Sequence, residues 1–391
     1  MCFAGRINGS NLVQLLPASR EVQQGEMLKF EDQKEKLWKE KQQVDCNDQG
    51  VLFVTAQVDV DLSLILKSHV DPQQLNQLLP VDLAAADGPT DPILAVQINR
   101  FQCGGLAIAA CASHRFIEST SFTSFLTAWA QAAETGGKLL IKPFFDHHSY
   151  FPAENLPSHS DRPRQKIIVE RYVFDSKAIQ RLSQQLISER PLSRVVAVST
   201  FLTQALLRAD IARRGEPRAA LIRQLINIRE RTVPPVPKQA FGTWLSGSFL
   251  ELAADHTASA ALGENFPALA WRIRDATLQG VRDCAPVLGD KEFGRKLLVG
   301  NFLDANKKAE TEDCKVIWLM DFSKFCDYEL DFGFGNPEWV SIATVPVTDH
   351  IIMLNNRSND GIQAWVCMKE SDMQFFRQDK EILLLSANTS G

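Results

Sequence analysis

Apolar positions along this chain fall into short runs and helical stripes that alternate from about residue 45 to the end. Val51-Leu52-Phe53-Val54 follows the turn Asn47-Asp48-Gln49-Gly50 and reads as a strand. Residues 93–99 and 106–112 read as a hairpin-like pair of strands, with Gly104-Gly105 loosening the second at its start. Phe122, Phe125, Leu126, Trp129 and Ala133 then recur at i, i+3, i+4 and i+7, which predicts a helix over 119–134 stopped by Gly136-Gly137. Further on, 167–174 reads as a strand, 176–188 as a helix with Ile179, Leu182 and Leu186 on one side, and 193–214 as a helix closed by Gly215. Helices are expected at 266–282 and 291–308, and strands at 316–320, 339–345, 351–354 and 362–368. The last element reads as a helix over 371–384, with Ser371 and Gln374 as a capping-box pair.

Two stretches break the pattern. Residues 20–43 are dominated by Gln, Glu and Lys and suit either a long helix or a disordered arm. Residues 155–166 hold Pro157, Pro163, Asp161-Arg162 and Arg164 with little to bury, and read as a crossover loop. The expected organisation is an irregular segment over 1–44, a first domain over 45–154 and a second over 167–391 that carries the Asp331 motif and whose last strands could pack on the first domain. Alternation of strands and helices makes the fold class α/β.

At 391 residues, 45% hydrophobic and 23% charged, the composition is that of a globular protein and excludes collagen, coiled coil and wholesale disorder. The formal charge is −5, with no Lys/Arg block longer than Arg213-Arg214, so neither nucleic acid nor an anionic membrane is an expected partner. No apolar run approaches the ~18 residues of a membrane span, and the N-terminus lacks an export signal. Eight cysteines lie scattered without a C-x-x-C pair, which suggests reduced thiols in a cytoplasmic protein, Cys103 and Cys111 packed beside the strand pair. His147-His148 lacks a third ligand at metal spacing and reads as loop, so no metal is expected.

Three places could carry chemistry. His114 stands directly after a strand in small-residue surroundings, where an imidazole can serve as a general base, and Glu118 follows four residues on. Such a pair recurs by chance in a chain of this composition. Arg229 and Arg231 precede the rigid run Pro234-Pro235-Val236-Pro237; they suit a phosphate or a carboxylate held across a domain interface. Asp331-Phe332-Gly333-Phe334-Gly335 makes a tight backbone around an anchored aspartate, a hinge near a ligand or an ordinary glycine turn.

Taken in order, His114-x-x-x-Glu118, Arg229-x-Arg231 leading to Ala240-Phe241-Gly242-Thr243, and Asp331-Phe332-Gly333-Phe334-Gly335 resemble the H-x-x-x-D, R-x-R…Y-F-G-N and D-F-G-W-G signatures of the plant BAHD acyl-CoA-dependent acyltransferases. Cys46-Asn47-Asp48-Gln49-Gly50, Ser124 to Trp129 and Asn359 to Trp365 look like the family too, in a resemblance that covers about residues 45–387. Its flavour is that of the vinorine synthase and salutaridinol acetyltransferase branch. The resemblance implies two similar mixed-sheet α/β domains with a channel between them. It implies transfer of an acyl group, acetyl first, from acyl-CoA as co-substrate to a small-molecule alcohol such as an alkaloid, with no bound cofactor, by a monomer. His114 would be the base; Glu118, Asp331, Gly333 and Gly335 would be structural. Glu118 would hold the backbone to an arginine such as Arg229 or Arg231, and those two would also meet the CoA phosphates.

Departures from the pattern are equally plain. Glu118 replaces Asp, Phe334 replaces Trp, and Thr243 stands where the family has Asn. Phe3-Ala4-Gly5-Arg6 lies at the very start, so the chain is expected to lack the family's first strand and helix. The alternative function is a catalytically impaired relative that only binds CoA or a small molecule.

Overall fold

The computed structural model describes residues 2–6, 50–66, 72–82, 92–114, 116–138, 140–150, 166–186, 192–263, 266–310, 313–325, 327–345 and 347–388. The arm at 20–43 and the crossover at 155–165 lie outside them. Strands are β1 Cys2–Arg6, β2 Leu52–Val58, β3 Leu94–Phe101, β4 Gly105–Ala112, β5 Ile167–Phe174, β6 Ala219–Asn227, β7 Leu245–Leu252, β8 Cys314–Asp321, β9 Trp339–Ser341, β10 His350–Asn355 and β11 Ile362–Lys369. The main helices are α1 Ser119–Glu134, α2 Ser176–Gln185, α3 Arg194–Arg214, α4 Ala254–Ala261, α5 Phe266–Asp283, α6 Lys291–Arg295, α7 Asn301–Glu310, α8 Glu370–Arg377 and α9 Lys380–Asn388. A π-helical turn, Lys296–Gly300, joins α6 to α7.

The chain forms two compact units: Met1–Pro163 with Gln239–Thr243 and Cys326–Pro346, and Arg164–Lys238 with Trp244–Phe325 and Val347–Gly391. This corrects the simple division at 167. The Asp331 motif and the segment around Gly242 belong to the first unit, although both lie in the second half of the sequence. A second correction concerns the start of the chain: Cys2–Arg6, assigned to an irregular segment, is a strand.

In the first unit the sheet runs β2-β3-β4-β1-β9, with β2 and β3 parallel and the other neighbours antiparallel. β3 and β4 are buried over nearly their whole length, so they read as continuous apolar runs rather than alternating ones. Gly104, at φ 81°, turns the chain between them. Cys103 is exposed there, not packed as expected, and its Sγ accepts from the Leu62 amide at 3.4 Å. Helix α1 ends as its glycines predict, with the Gly137 amide donating to the Ala132 carbonyl at 2.7 Å. Its most buried residues are Ser121, Thr123, Leu126 and Ala130 rather than the aromatic stripe, which is half-buried.

The second unit carries a sheet in the order β5-β11-β10-β8-β6-β7, parallel at β10-β8 and β8-β6. Helix α3 fills its core. The Ser193 hydroxyl caps one end at Val196 N, and Gly215 at φ 84° closes the other. By length and composition α3 could cross a membrane, but 72% of its apolar window is buried inside the protein. Two of its buried polar groups have partners that explain their tolerance: Thr200 bonds the Val196 carbonyl at 2.8 Å and Gln204 the Ala260 carbonyl at 2.8 Å, whereas the buried Thr203 hydroxyl has none among the described residues. The expected final helix is two, broken at Gln378-Asp379, and Ser371 does not cap it. Asp379 caps the second of them at Ile382 N while its carboxylate grips Arg208 at 2.5 and 3.0 Å.

Candidate active site

β4 ends at Ala112, and the Ser113 amide still reaches the Ile93 carbonyl at 2.8 Å. Phe116 and Ile117 then fold back onto the Ser113 carbonyl at 3.2 and 3.1 Å. His114 rides on that turn with its side chain exposed, while Ile117 and Glu118 behind it are buried.

Glu118 is 0% exposed and is the N-cap of α1. One carboxylate oxygen accepts from the Thr120 amide at 2.7 Å, the other from the Ser121 amide at 2.7 Å and the Ser121 hydroxyl at 2.8 Å. These three bonds tie the carboxylate to the first turn of α1. A glutamate reaches both amides without leaving the start of the helix, and its charge sits at the positive end of the helix dipole.

The same Ser121 hydroxyl meets the Gly242 carbonyl and amide, each at 3.2 Å. Gly242 has φ 108°, and a Cβ there would stand 2.9 Å from the His147 ring, whose Nε2 lies 3.1 Å from the Thr243 carbonyl. The segment is held by backbone bonds from Phe144 N to Gln239 O at 2.9 Å and from Phe241 N to Phe144 O at 2.8 Å. Ser121 did not stand out in the sequence, where a serine three residues into a helix whose cap is acidic was the signal available; His147, read there as loop, instead opens the single helical turn His147–Tyr150.

Asp331 folds its own loop. Its Oδ1 accepts from the amides of Gly333, Phe334 and Gly335 at 2.8, 3.0 and 2.9 Å, which requires the positive φ of Gly333 and Gly335, 95° and 102°. Phe332 from this loop packs edge-on against Trp129 of α1, ring centroids 4.8 Å apart. Just upstream, Asp327 is 3% exposed, its Oδ1 has no hydrogen-bond donor, and burial pushes its carboxyl up to about 6.

Three motifs far apart in sequence therefore meet along α1: His114 and Glu118 at its start, Gly242 on its first turn, and the Asp331 loop at Trp129. Arg229 and Arg231 lie in the other unit, on the turn after β6. Arg229 is 4% exposed, with its amide and Nη1 on Asn227 Oδ1 at 3.0 and 3.1 Å. Arg231 is exposed and donates to the Asn227 carbonyl at 2.8 Å. Glu230 between them takes φ 61°, a left-handed conformation uncommon for a residue with a side chain. No group of three or more His, Cys, Asp or Glu among the described residues is placed to hold a metal.

A model of the Transferase family matches residues 33–383. The chain is 34% identical over 354 residues to the pelargonidin 3-O-(6-caffeoylglucoside) 5-O-(6-O-malonylglucoside) 4'''-malonyltransferase of Salvia splendens, covering 87% of this chain and 81% of that one. It is 31% identical over 343 residues to vinorine synthase of Rauvolfia serpentina, covering 84% and 76%. The crystal structure of vinorine synthase superposes with a TM-score of 0.73 at 28% identity, over 88% of this chain and 78% of that one. That of F. sporotrichioides TRI101, complexed with coenzyme A and T-2, shares the fold with a TM-score of 0.62 at 18% identity, over 87% and 82%. With the family model matching residues 33–383 and relatives of 31–34% identity covering more than four fifths of it, the chain belongs to the Transferase family of BAHD acyltransferases and is an enzyme that transfers acyl groups.

Proposed function

We propose that the enzyme moves an acetyl group from acetyl-CoA to a hydroxyl of a plant specialised metabolite, an alkaloid among the candidates, with His114 as general base. One observation carries this reading: an exposed imidazole on a turn whose every flanking element, β4 behind it and the Glu118-capped α1 ahead, is buried and hydrogen-bonded. Such a base is held rigidly while its ring stays accessible.

In the reaction, the His114 imidazole takes the proton of the acceptor hydroxyl as that oxygen attacks the thioester carbonyl. The tetrahedral oxyanion collapses, the carbon–sulfur bond breaks, and the imidazolium returns the proton to the departing thiolate. No acyl-enzyme forms. Arg231, exposed beside Asn227, is the candidate for a CoA phosphate, whereas Arg229 serves the turn that presents it. The enzyme works as a cytoplasmic monomer whose partners are acyl-CoA and the alcohol.

Thiol release from acetyl-CoA and from malonyl-CoA against a panel of alkaloid, terpenoid and flavonoid alcohols tests the reading, with His114→Ala alongside. We expect acetylated product and a loss of about 100-fold or more in the variant, the usual span for a removed general base. Preference for malonyl-CoA overturns the donor assignment. Folded protein that binds CoA without turnover overturns the catalytic reading and leaves a binding protein.

A further inference from the structure

Arg223, in the middle of β6, is 2% exposed, and the described residues offer its side chain no hydrogen bond or ion pair. Nε and Nη1 are buried without acceptors. A buried cation left in this state is costlier than a buried apolar side chain of the same volume, so its retention calls for a reason.

Its surroundings are built rather than accidental. Cross-strand pairing sets Arg223 opposite Phe249 on β7 and Trp318 on β8, so the three side chains share one face of the sheet. Phe302 of α7 closes over them. The guanidinium carbon lies 4.4 Å from the Trp318 ring centroid, 4.8 Å from Phe249 and 5.0 Å from Phe302. His350 stacks on Trp318 at 5.4 Å and 4°, which braces that wall. Next to the guanidinium the sheet carries Gly247, where a Cβ would stand 3.0 Å from Nε and 3.2 Å from Nη2. The rings satisfy the charge through its faces, and the glycine keeps the plane of the N–H groups clear.

We propose that Arg223 is the recognition group of a small-anion site in the second unit that takes a carboxylate. Flat aromatic walls favour a planar carboxylate, which matches the guanidinium fork with two parallel hydrogen bonds, over a tetrahedral phosphate dianion with a heavier hydration shell. Burial lowers the Arg223 pKa only to about 10, so the group is cationic at neutral pH.

The test is thermal unfolding of the full chain at constant ionic strength, with sodium malonate exchanged for sodium chloride, and inorganic phosphate in a second arm. We expect malonate to raise Tm saturably by ~2–4 °C in the natural protein, phosphate to raise it less, and Arg223→Met to lose the shift. Gly247→Ala keeps the charge, crowds Nε and is expected to shrink the shift, which keeps the test open if Arg223→Met does not fold. A rise of the same size in either variant is a general salt effect and overturns the site. An unsaturable response, or none, does the same. Phosphate exceeding malonate overturns the carboxylate assignment.

Discussion

Glu118 joins two functions in one carboxylate: it ends the turn that carries His114 and starts the helix on which the other motifs rest. Glu118→Ala removes the acceptor of two amides and a hydroxyl in a fully buried place, and we expect a loss of ~1–2 kcal/mol in urea unfolding with a fall in kcat larger than any change in KM. An unchanged kcat in the folded variant would show that the cap does not position His114. The residue type was legible in the sequence as a motif position, but its partners were not, because a carboxylate beside a helix start can turn inward to the amides or outward to an arginine. Asp327 was not singled out at all, since nothing in Cys326-Asp327-Tyr328 marks which side chain will be buried. Its folded pKa of about 6 lies above the ordinary 3.8, so between these values the folded state holds a proton that the unfolded state has lost. Stability from this group is present below pH 4 and is lost as pH rises through 6, by at most about 3 kcal/mol. Asp327→Asn is therefore expected to raise the urea midpoint at pH 8 and leave it nearly unchanged at pH 4.

At the scale of elements, the Asp331 loop is the clearest case of sequence writing structure. Two glycines spaced two apart after an aspartate allow three amides to converge on one oxygen, and no tertiary partner is needed for that. Asp331→Ala should cost ~2–3 kcal/mol and loosen Phe332 from Trp129, seen as faster amide exchange across 329–336 with His114 chemistry reduced rather than abolished. Gly242→Ala tests the neighbouring contact: φ 108° and a Cβ at 2.9 Å from His147 should cost ~1–3 kcal/mol, and an unperturbed melting curve would refute the packing described. Helices α1, α2, α3 and α5 were legible because one-sided periodicity and local caps suffice for them. Strands β6 and β7 were not. Arg223-Gln224 and Ser246-Gly247-Ser248 interrupt their apolar runs, and it is aromatic neighbours from β7, β8 and α7 that surround Arg223 inside the sheet.

Over the whole molecule, pH should act on the two units in opposite directions. Burial against Trp318 drops the His350 pKa to about 4, below its ordinary 6.5, so the unfolded state takes up a proton first and stability is lost as pH falls from 6.5 towards 4, by at most about 3 kcal/mol. Asp210 in the same unit acts in the same sense: burial raises its carboxyl, but the Arg218 hydrogen bond and the Lys315 and Arg218 charges outweigh this and hold it below the usual range. Hydrogen exchange at pH 5 and 7, corrected for intrinsic rates, should show the second unit opening more readily at pH 5 and the first unit less readily. Movement of both units in one direction would refute the assignment of these groups. The alternation of strand and helix, the local caps and turns, and the order of the three motifs follow from the sequence by itself, because each is decided by residues within a few positions of one another. Only the tertiary structure decided that Cys2–Arg6 lies between β4 and β9, that residues 239–243 and 326–346 join the first unit, and that Glu118 is fully buried with its carboxylate on the Thr120 and Ser121 amides. Strand pairing and the burial of charge depend on which distant segment arrives to supply the missing hydrogen bonds and walls, and no local pattern encodes that choice.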